Sequence, residues 1–325
     1  MAETLSQHSE TTSFSTPARS TGKSFWQQLK DSRLGLLFFA PSLLGFVIFF
    51  ALPIAWSLYL SFTEYDGFAA PQWVGLENYA EILLHNPFTS DPPYYFWKSL
   101  LNTLAYCVTY IPLSIGLSLF IAILLNSNLP GMKVFRAIYF LPVVSSVIAV
   151  SLMWRWLFAV DYGPINYFLV SIGGESWRLG WLQDPDWSML GLVIMAVWRT
   201  LGYNIIIILA SLQGVPNDLY EAAYVDGASR LQVIFKITIP LISPGLFFVV
   251  LMSLITGMQV FSEAYVMTGG GPARATLTVV YNLYQQGFSF LRFGLSSAMG
   301  WTVFVLIFSI ALFFNALSKR WVHYS

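Results

Sequence analysis

The sequence predicts an all-α polytopic membrane protein with six transmembrane helices. Only 10% of its residues are charged, against the roughly 25% usual in soluble domains, so a water-exposed surface could not be covered. The hydrophobic share is 56% and the mean hydropathy +0.64. The apolar residues gather in charge-free stretches, and about 20 residues of helix suffice to cross the hydrocarbon layer.

In chain order, residues 1–33 hold seven Ser and five Thr with no apolar helical stripe, which reads as a disordered cytoplasmic tail. They are not a cleavable signal, because the apolar stretch that follows is too long and begins too late. Residues 34–63 are uncharged from Leu34 to Thr63 and form the first span. Residues 64–98 make an extracytoplasmic loop containing Asp91-Pro92-Pro93 and a Trp73-Val74-Gly75-Leu76-Glu77-Asn78-Tyr79 segment suited to the membrane interface. Residues 99–318 form a five-helix core. Ser99 to Met132, Ala137 to Trp154, Ile237 to Ser262 and Phe293 to Ser318 are uncharged, and Trp187 to Asn217 is interrupted only by Arg199. Ala275 to Leu291 is uncharged too, but rich in Thr, Gln, Tyr and Asn, and reads as a loop or interfacial helix. Residues 319–325 are a second tail.

Basic residues set the orientation. With the N-terminus inside, Arg19, Lys23, Lys30, Arg33, Lys133, Arg136, Arg230, Lys236, Lys319 and Arg320 are inner, while Lys98, Arg155, Arg178, Arg274 and Arg292 are outer. Both termini are therefore expected in the cytoplasm.

Several functions lose their support. Sixteen basic residues balance sixteen acidic ones, which leaves no surplus for nucleic-acid binding. Cys107 is the one cysteine; it sits in an apolar run as a small packing residue and allows no intramolecular disulfide. His8, His85 and His323 are scattered, so no metal site is implied. No defensible catalytic pair of carboxylates is present, and no phosphate-binding Gly-x-x-x-x-Gly-Lys-[Ser/Thr] motif occurs. The chain reads as non-catalytic.

The informative polar segment is residues 214–245, between the fourth and fifth spans. Asn217 or Asp218 can cap a helix through Glu221, Ala222 and Ala223. Gly227 then permits a turn at positive φ or a close backbone approach. A second helix follows, with Leu231, Ile234, Phe235 and Thr238 at helical spacing, and Pro240 and Pro244 break it. The connection runs about 25 residues where packed helices usually need roughly 2–8, and its exposed Leu231, Phe235 and Tyr224 invite a protein partner.

Here the residues resemble a known family. Glu221-Ala222-Ala223 with Gly227 is similar to the EAA loop of ABC-importer permease subunits. Asn102-Thr103-Leu104, Phe135-Arg136-Ala137-Ile138-Tyr139-Phe140-Leu141-Pro142, Leu219-Tyr220, Asp226-Gly227-Ala228 and Met267-Thr268-Gly269-Gly270-Gly271-Pro272 resemble its carbohydrate-uptake branch, of the MalF/UgpA type in a simpler six-span form. The resemblance covers roughly residues 34–318. It implies a type I ABC-importer permease fold in a bacterial cytoplasmic (inner) membrane. It also implies a second permease subunit, a dimer of ATP-binding subunits carrying the ATP and Mg, and an extracytoplasmic solute-binding protein. Glu221, Ala222, Ala223, Asp226, Gly227 and Ala228 would form the coupling helix that seats in the ATPase, and this chain would bind no cofactor itself.

A solute path needs polar groups facing the bundle interior. Trp198, Arg199, Thr200, Gly202, Tyr203 and Asn204 in the fourth span, and Ser253, Thr256, Gly257 and Gln259 in the fifth, are the candidates. Aromatic faces and amide or hydroxyl groups suit a sugar or polyol. Arg199 costs about 2.5–3.5 kcal/mol at mid-span on insertion scales; it is either a ligand or gate contact or structurally paired with a carbonyl or with an acid on the other permease subunit. Asn204 and Gln259 read equally as solute contacts or interhelical hydrogen bonders, and Trp198 as packing or stacking. Glu263 is expected in a solvated position near the outer membrane edge. The Met267 to Pro272 loop is a gate or a docking surface. The competing reading is an ion-coupled secondary transporter working without an ATPase, which would need buried carboxylates within its spans.

Overall fold

Long, largely apolar helices make up much of the described chain, the form in which a backbone satisfies itself where water is absent. The computed structural model describes residues 33–84, 95–126 and 132–319, apart from the side chains of 33–37, 132, 133 and 136. Residues 1–32 and 320–325 of the expected tails, Asp91-Pro92-Pro93, and all three histidines lie outside that set. The chain divides into two compact units at Trp56/Ser57.

The first unit contains α1 (Arg33–Phe46) and a π-turn, Val47–Ala51. It also holds the start of α2 (Leu52–Leu60), and Phe38–Leu60 runs as one apolar stretch. In the second unit, β1 (Thr63–Glu64) pairs antiparallel with β2 (Gln72–Trp73). Beside this hairpin lies α3 (Glu77–Leu84), whose buried Asn78 donates through Nδ2 to the carbonyls of Ser61 and Thr63, at 3.1 and 2.9 Å.

Three further helices are each long and apolar enough to cross a membrane: α4 (Phe96–Leu125), α8 (Pro185–Gln213) and α14 (Phe293–Ser318). The expected third span is not straight. It comprises α5 (Met132–Val144) and α6 (Val147–Leu157), bent by 107° at Ser145-Ser146. Pro142 lacks an N–H for the helix ladder, Ser145 Oγ bonds back to the Leu141 carbonyl at 3.0 Å, and Ser146 is extended. A short apolar helix, α7 (Pro164–Gly173), follows. Where the fifth span was expected lies α12 (Ser243–Met258), and the helical run before it, Arg230–Leu241, meets it at 71°.

The segment expected as a loop or interfacial helix is instead a helix packed into the core. It is α13 (Val279–Tyr284), continued by a π-turn to Ser289, with Val279, Tyr281, Asn282 and Gln286 buried. Its polarity is satisfied by α4: Asn282 Nδ2 donates to Ser99 Oγ at 3.2 Å, and the Val279 amide to Thr103 Oγ1 at 2.9 Å. Asn102 Nδ2 donates to the carbonyls of Arg274 and Leu277, at 2.8 and 3.0 Å. Those bonds tie the stretch that follows the Met267 to Pro272 loop to α4.

The core falls into two clusters threaded by α8. Leu192, Val193, Met195, Ala196 and Val197 belong to one; Ile205, Ile208 and Leu212 belong to the other. Between them α8 carries its polar residues.

Candidate functional site

Aspartate and proline start α8: the Asp184 side chain accepts from the Asp186 amide at 3.0 Å, and Pro185 occupies the first turn, where its missing N–H costs nothing. The helix then runs far enough to bring Arg199 to Asn204 into mid-bundle. Gly202 is required there, because a Cβ would collide with the Tyr139 carbonyl of α5. The broken helix pair thus packs backbone to backbone on α8.

These residues face a cavity of about 380 Å³, within the range typical of ligand pockets. Arg199, Thr200, Tyr203 and Asn204 line it from α8; Ser253, Thr256, Gly257 and Gln259 line it from α12 and its end. Trp198 and Gly202 do not. Trp198 packs edge-on against Trp154, ring centroids 5.7 Å apart.

Asn204 lines the cavity and also makes an interhelical hydrogen bond: it is buried and donates to Ser114 Oγ at 2.9 Å. Ser114 lies 3.3 Å from Thr200 Oγ1, which also accepts from Tyr110 OH at 3.1 Å. Tyr106 and Tyr110 of α4 stack at 5.4 Å and line the same wall. Sequence reasoning missed this wall.

Glu263 is the largest departure. Expected in a solvated position, it is buried and lines the cavity, with Oε1 3.2 Å from Arg199 Nη2. A cation in mid-bundle and an acid just past α12 satisfy each other, which is how charges survive burial. Arg199 Nε is buried and makes no hydrogen bond among the described residues. Nor do any three His, Cys, Asp or Glu side chains among them group as metal ligands.

The second candidate region lies outside the bundle. Helix α9 (Asn217–Val225) starts with Pro216, not Asn217 or Asp218, in the N-cap position. Gly227 stands at φ +77° with nothing of this chain near its absent Cβ, so within the chain it serves the turn. Ser229 and Gln232 then form a capping box that starts α10 (Arg230–Val233). A π-turn, Ile234–Thr238, and α11 (Ile239–Leu241) complete the arm.

Glu221, Ala222, Asp226 and Gly227 are exposed; Ala223 is buried and Ala228 half-buried. The Ala228 amide donates to the Ala223 carbonyl at 2.9 Å, closing the turn. In the second arm Leu231 and Phe235 are 67% and 65% exposed, and Tyr224 of the first arm is exposed too, as expected. Val233 and Thr238 are buried.

A helical bundle in a membrane, with a polar cavity between its spans and a capped helical hairpin beyond them, defines a membrane transport subunit. Residues 96–323 match the family described as "Binding-protein-dependent transport system inner membrane component", and the chain belongs to that family. It is 38% identical to the probable ABC transporter permease protein YesP of Bacillus subtilis, covering 91% of this chain and 93% of that one. It is 32% identical to the trehalose/maltose transport system permease protein MalF of Thermococcus litoralis, covering 89% and 95%. Among solved structures it is similar to a chain of a bacterial ABC transporter involved in the import of the acidic polysaccharide alginate, with a TM-score of 0.74 and 25% identity over 91% of this chain and 98% of that one.

Proposed function

We propose that this chain is one of two permease subunits of a type I ABC importer, carrying a sugar, oligosaccharide, polyol or similar osmolyte inward by alternating access. Six spans, counting each bent pair as one, would place both termini in the cytoplasm and the 217–241 hairpin beside the ATP-binding subunits. An extracytoplasmic binding protein would deliver the solute, and ATP with Mg would act on the partner ATPase. The observation that carries the solute reading is the cavity between α4, α8 and α12, lined by hydroxyls, amides and tyrosine rings, the groups that recognise sugar hydroxyls and ring faces. The similarity to a trehalose/maltose permease supports the same class.

Glu221, Asp226 and the small residues Ala222, Ala223, Gly227 and Ala228 form the coupling element in this reading. Closure of the ATPase dimer drags the hairpin, and α12, joined to it through the bend at Ile242, swings with it. The interior then turns from inward-open to outward-open.

Buried Glu263 is the one feature that favours ion coupling, since such carriers need intramembrane acids. Its bond to Arg199 accounts for it as a counter-ion. Reconstitution separates the two readings. The assembled complex with its binding protein should import solute only with ATP; uptake by this chain alone under an ion gradient would overturn the importer reading.

A further inference from the structure

We propose that Glu263 sets the charge class of the solute: by holding Arg199 it keeps the cavity electrically neutral and admits uncharged glycans over uronates. This rests on the cavity being the solute site. Family relationship leaves the matter open, because the relatives include a trehalose/maltose permease and an importer of an acidic polysaccharide.

The geometry decides it. Arg199 and Glu263 are the charged residues lining the cavity among the described residues; its other walls are neutral, including Thr200, Asn204, Ser253 and Gln259. The pair is a single contact, Nη2 to Oε1 at 3.2 Å. One edge of the guanidinium is therefore committed to the carboxylate, while the buried Nε makes no hydrogen bond among the described residues. The accessible part of the guanidinium, on a side chain 28% exposed, can donate to one sugar hydroxyl, a neutral acceptor. A uronate brought to the same place would have to displace Glu263 from the cation or sit beside its negative charge, a repulsion that buried surroundings screen far less than bulk water does. Without Glu263, the same guanidinium becomes an open fork for a carboxylate.

Two disaccharides of identical linkage, galactobiose and digalacturonate, serve as probes. Their binding to the assembled complex in nanodiscs is measured by titration calorimetry, without ATP or binding protein. The wild type should favour galactobiose at least tenfold. Glu263→Gln should shift the ratio at least tenfold toward digalacturonate, with binding that weakens as salt rises. Arg199→Gln/Glu263→Gln, which leaves no unpaired buried charge, should return the preference to the neutral sugar and stands in for assembly if the single variant is unstable. Arg199→Gln alone should reject digalacturonate more strongly than the wild type does.

Equal binding of both sugars by the wild type overturns the proposal. So does failure of Glu263→Gln, assembled, to gain digalacturonate, and so does a double variant that prefers the uronate. ATP-driven uptake by the wild-type complex is read separately, so a complex that imports yet shows no charge switch loses only this inference.

Discussion

The cavity wall and the cytoplasmic hairpin solve opposite problems. In the cavity wall, polar side chains sit among apolar ones and most are answered within the chain: Asn204 by Ser114, Thr200 by Tyr110, Arg199 by Glu263. In the hairpin, apolar side chains stand in the open: Val225 is 88% exposed, alongside Leu231 and Phe235. The bundle answers most of its polar groups internally, with the buried Arg199 Nε an exception among the described residues. The hairpin closes its own turn, yet leaves a hydrophobic face uncovered, as a docking element would.

The largest expected effect separates backbone from side chain. Gly227 holds φ at +77°, a region costing other L-residues roughly 1–2 kcal/mol and closed to proline, whose φ stays near −65°. Gly227→Pro should straighten or break the hairpin and reduce ATP-driven uptake to background, while the bundle still inserts. Uptake assays beside detergent-extracted chain levels check this. Unchanged uptake would mean that the turn transmits nothing. Gly227→Ala, by contrast, should leave partial activity.

How much of this could be read beforehand depends on which physical signal each part emits. The straight spans are visible because exclusion of charge is a composition effect, independent of neighbours. The hairpin is visible because a turn is local, here Gly227, although the cap expected at Asn217 or Asp218 falls at Pro216 and the Ser229–Gln232 box went unread. The breaks are harder. Pro142 is plain in the sequence, yet prolines are tolerated inside spans, so the 107° bend depended on Ser145 and Ser146 and on what packs there. The α13 segment was misjudged because its Asn and Gln look solvated until the Ser99 and Thr103 side chains that satisfy them are placed alongside. Glu263 was misjudged for the same reason: its partner lies 64 positions away in sequence. One missed signal was available. Ser99, Asn102, Thr103, Tyr106, Tyr110, Ser114 and Ser118 recur at helical spacing along α4, and all are buried; a polar stripe on an apolar helix marks its inward face.

A middle-sized effect is expected inside the wall. Asn204→Leu removes the Nδ2 donor to Ser114 but leaves Ser114 its contact with Thr200. Interhelical hydrogen bonds within membranes average about 0.6 kcal/mol and reach about 1.7. The purified complex should therefore melt a few degrees lower, with assembly intact. A collapse of the complex would show that the Asn204 network, and not the apolar clusters on either side, holds α4 to α8.

The smallest effect on the fold itself should come from the hairpin's uncovered face, where the contrast between the two regions is sharpest. Leu231 and Phe235 are exposed, so truncating both to Ala should change the stability of this chain by no more than about 0.5 kcal/mol each, while the amount of ATP-binding subunit that copurifies falls several-fold. Val233, 3% exposed on the inner side of the same arm, supplies the control: Val233→Asp buries an unpaired charge and should disorder the arm whether or not a partner is present. Protease sensitivity of the hairpin distinguishes the two cases, rising with Val233→Asp and unchanged in the double alanine variant. Full retention of the ATP-binding subunit by the double variant would show that the uncovered side chains are not its seat, and would transfer the contact to Glu221 and Ala222 on the first arm.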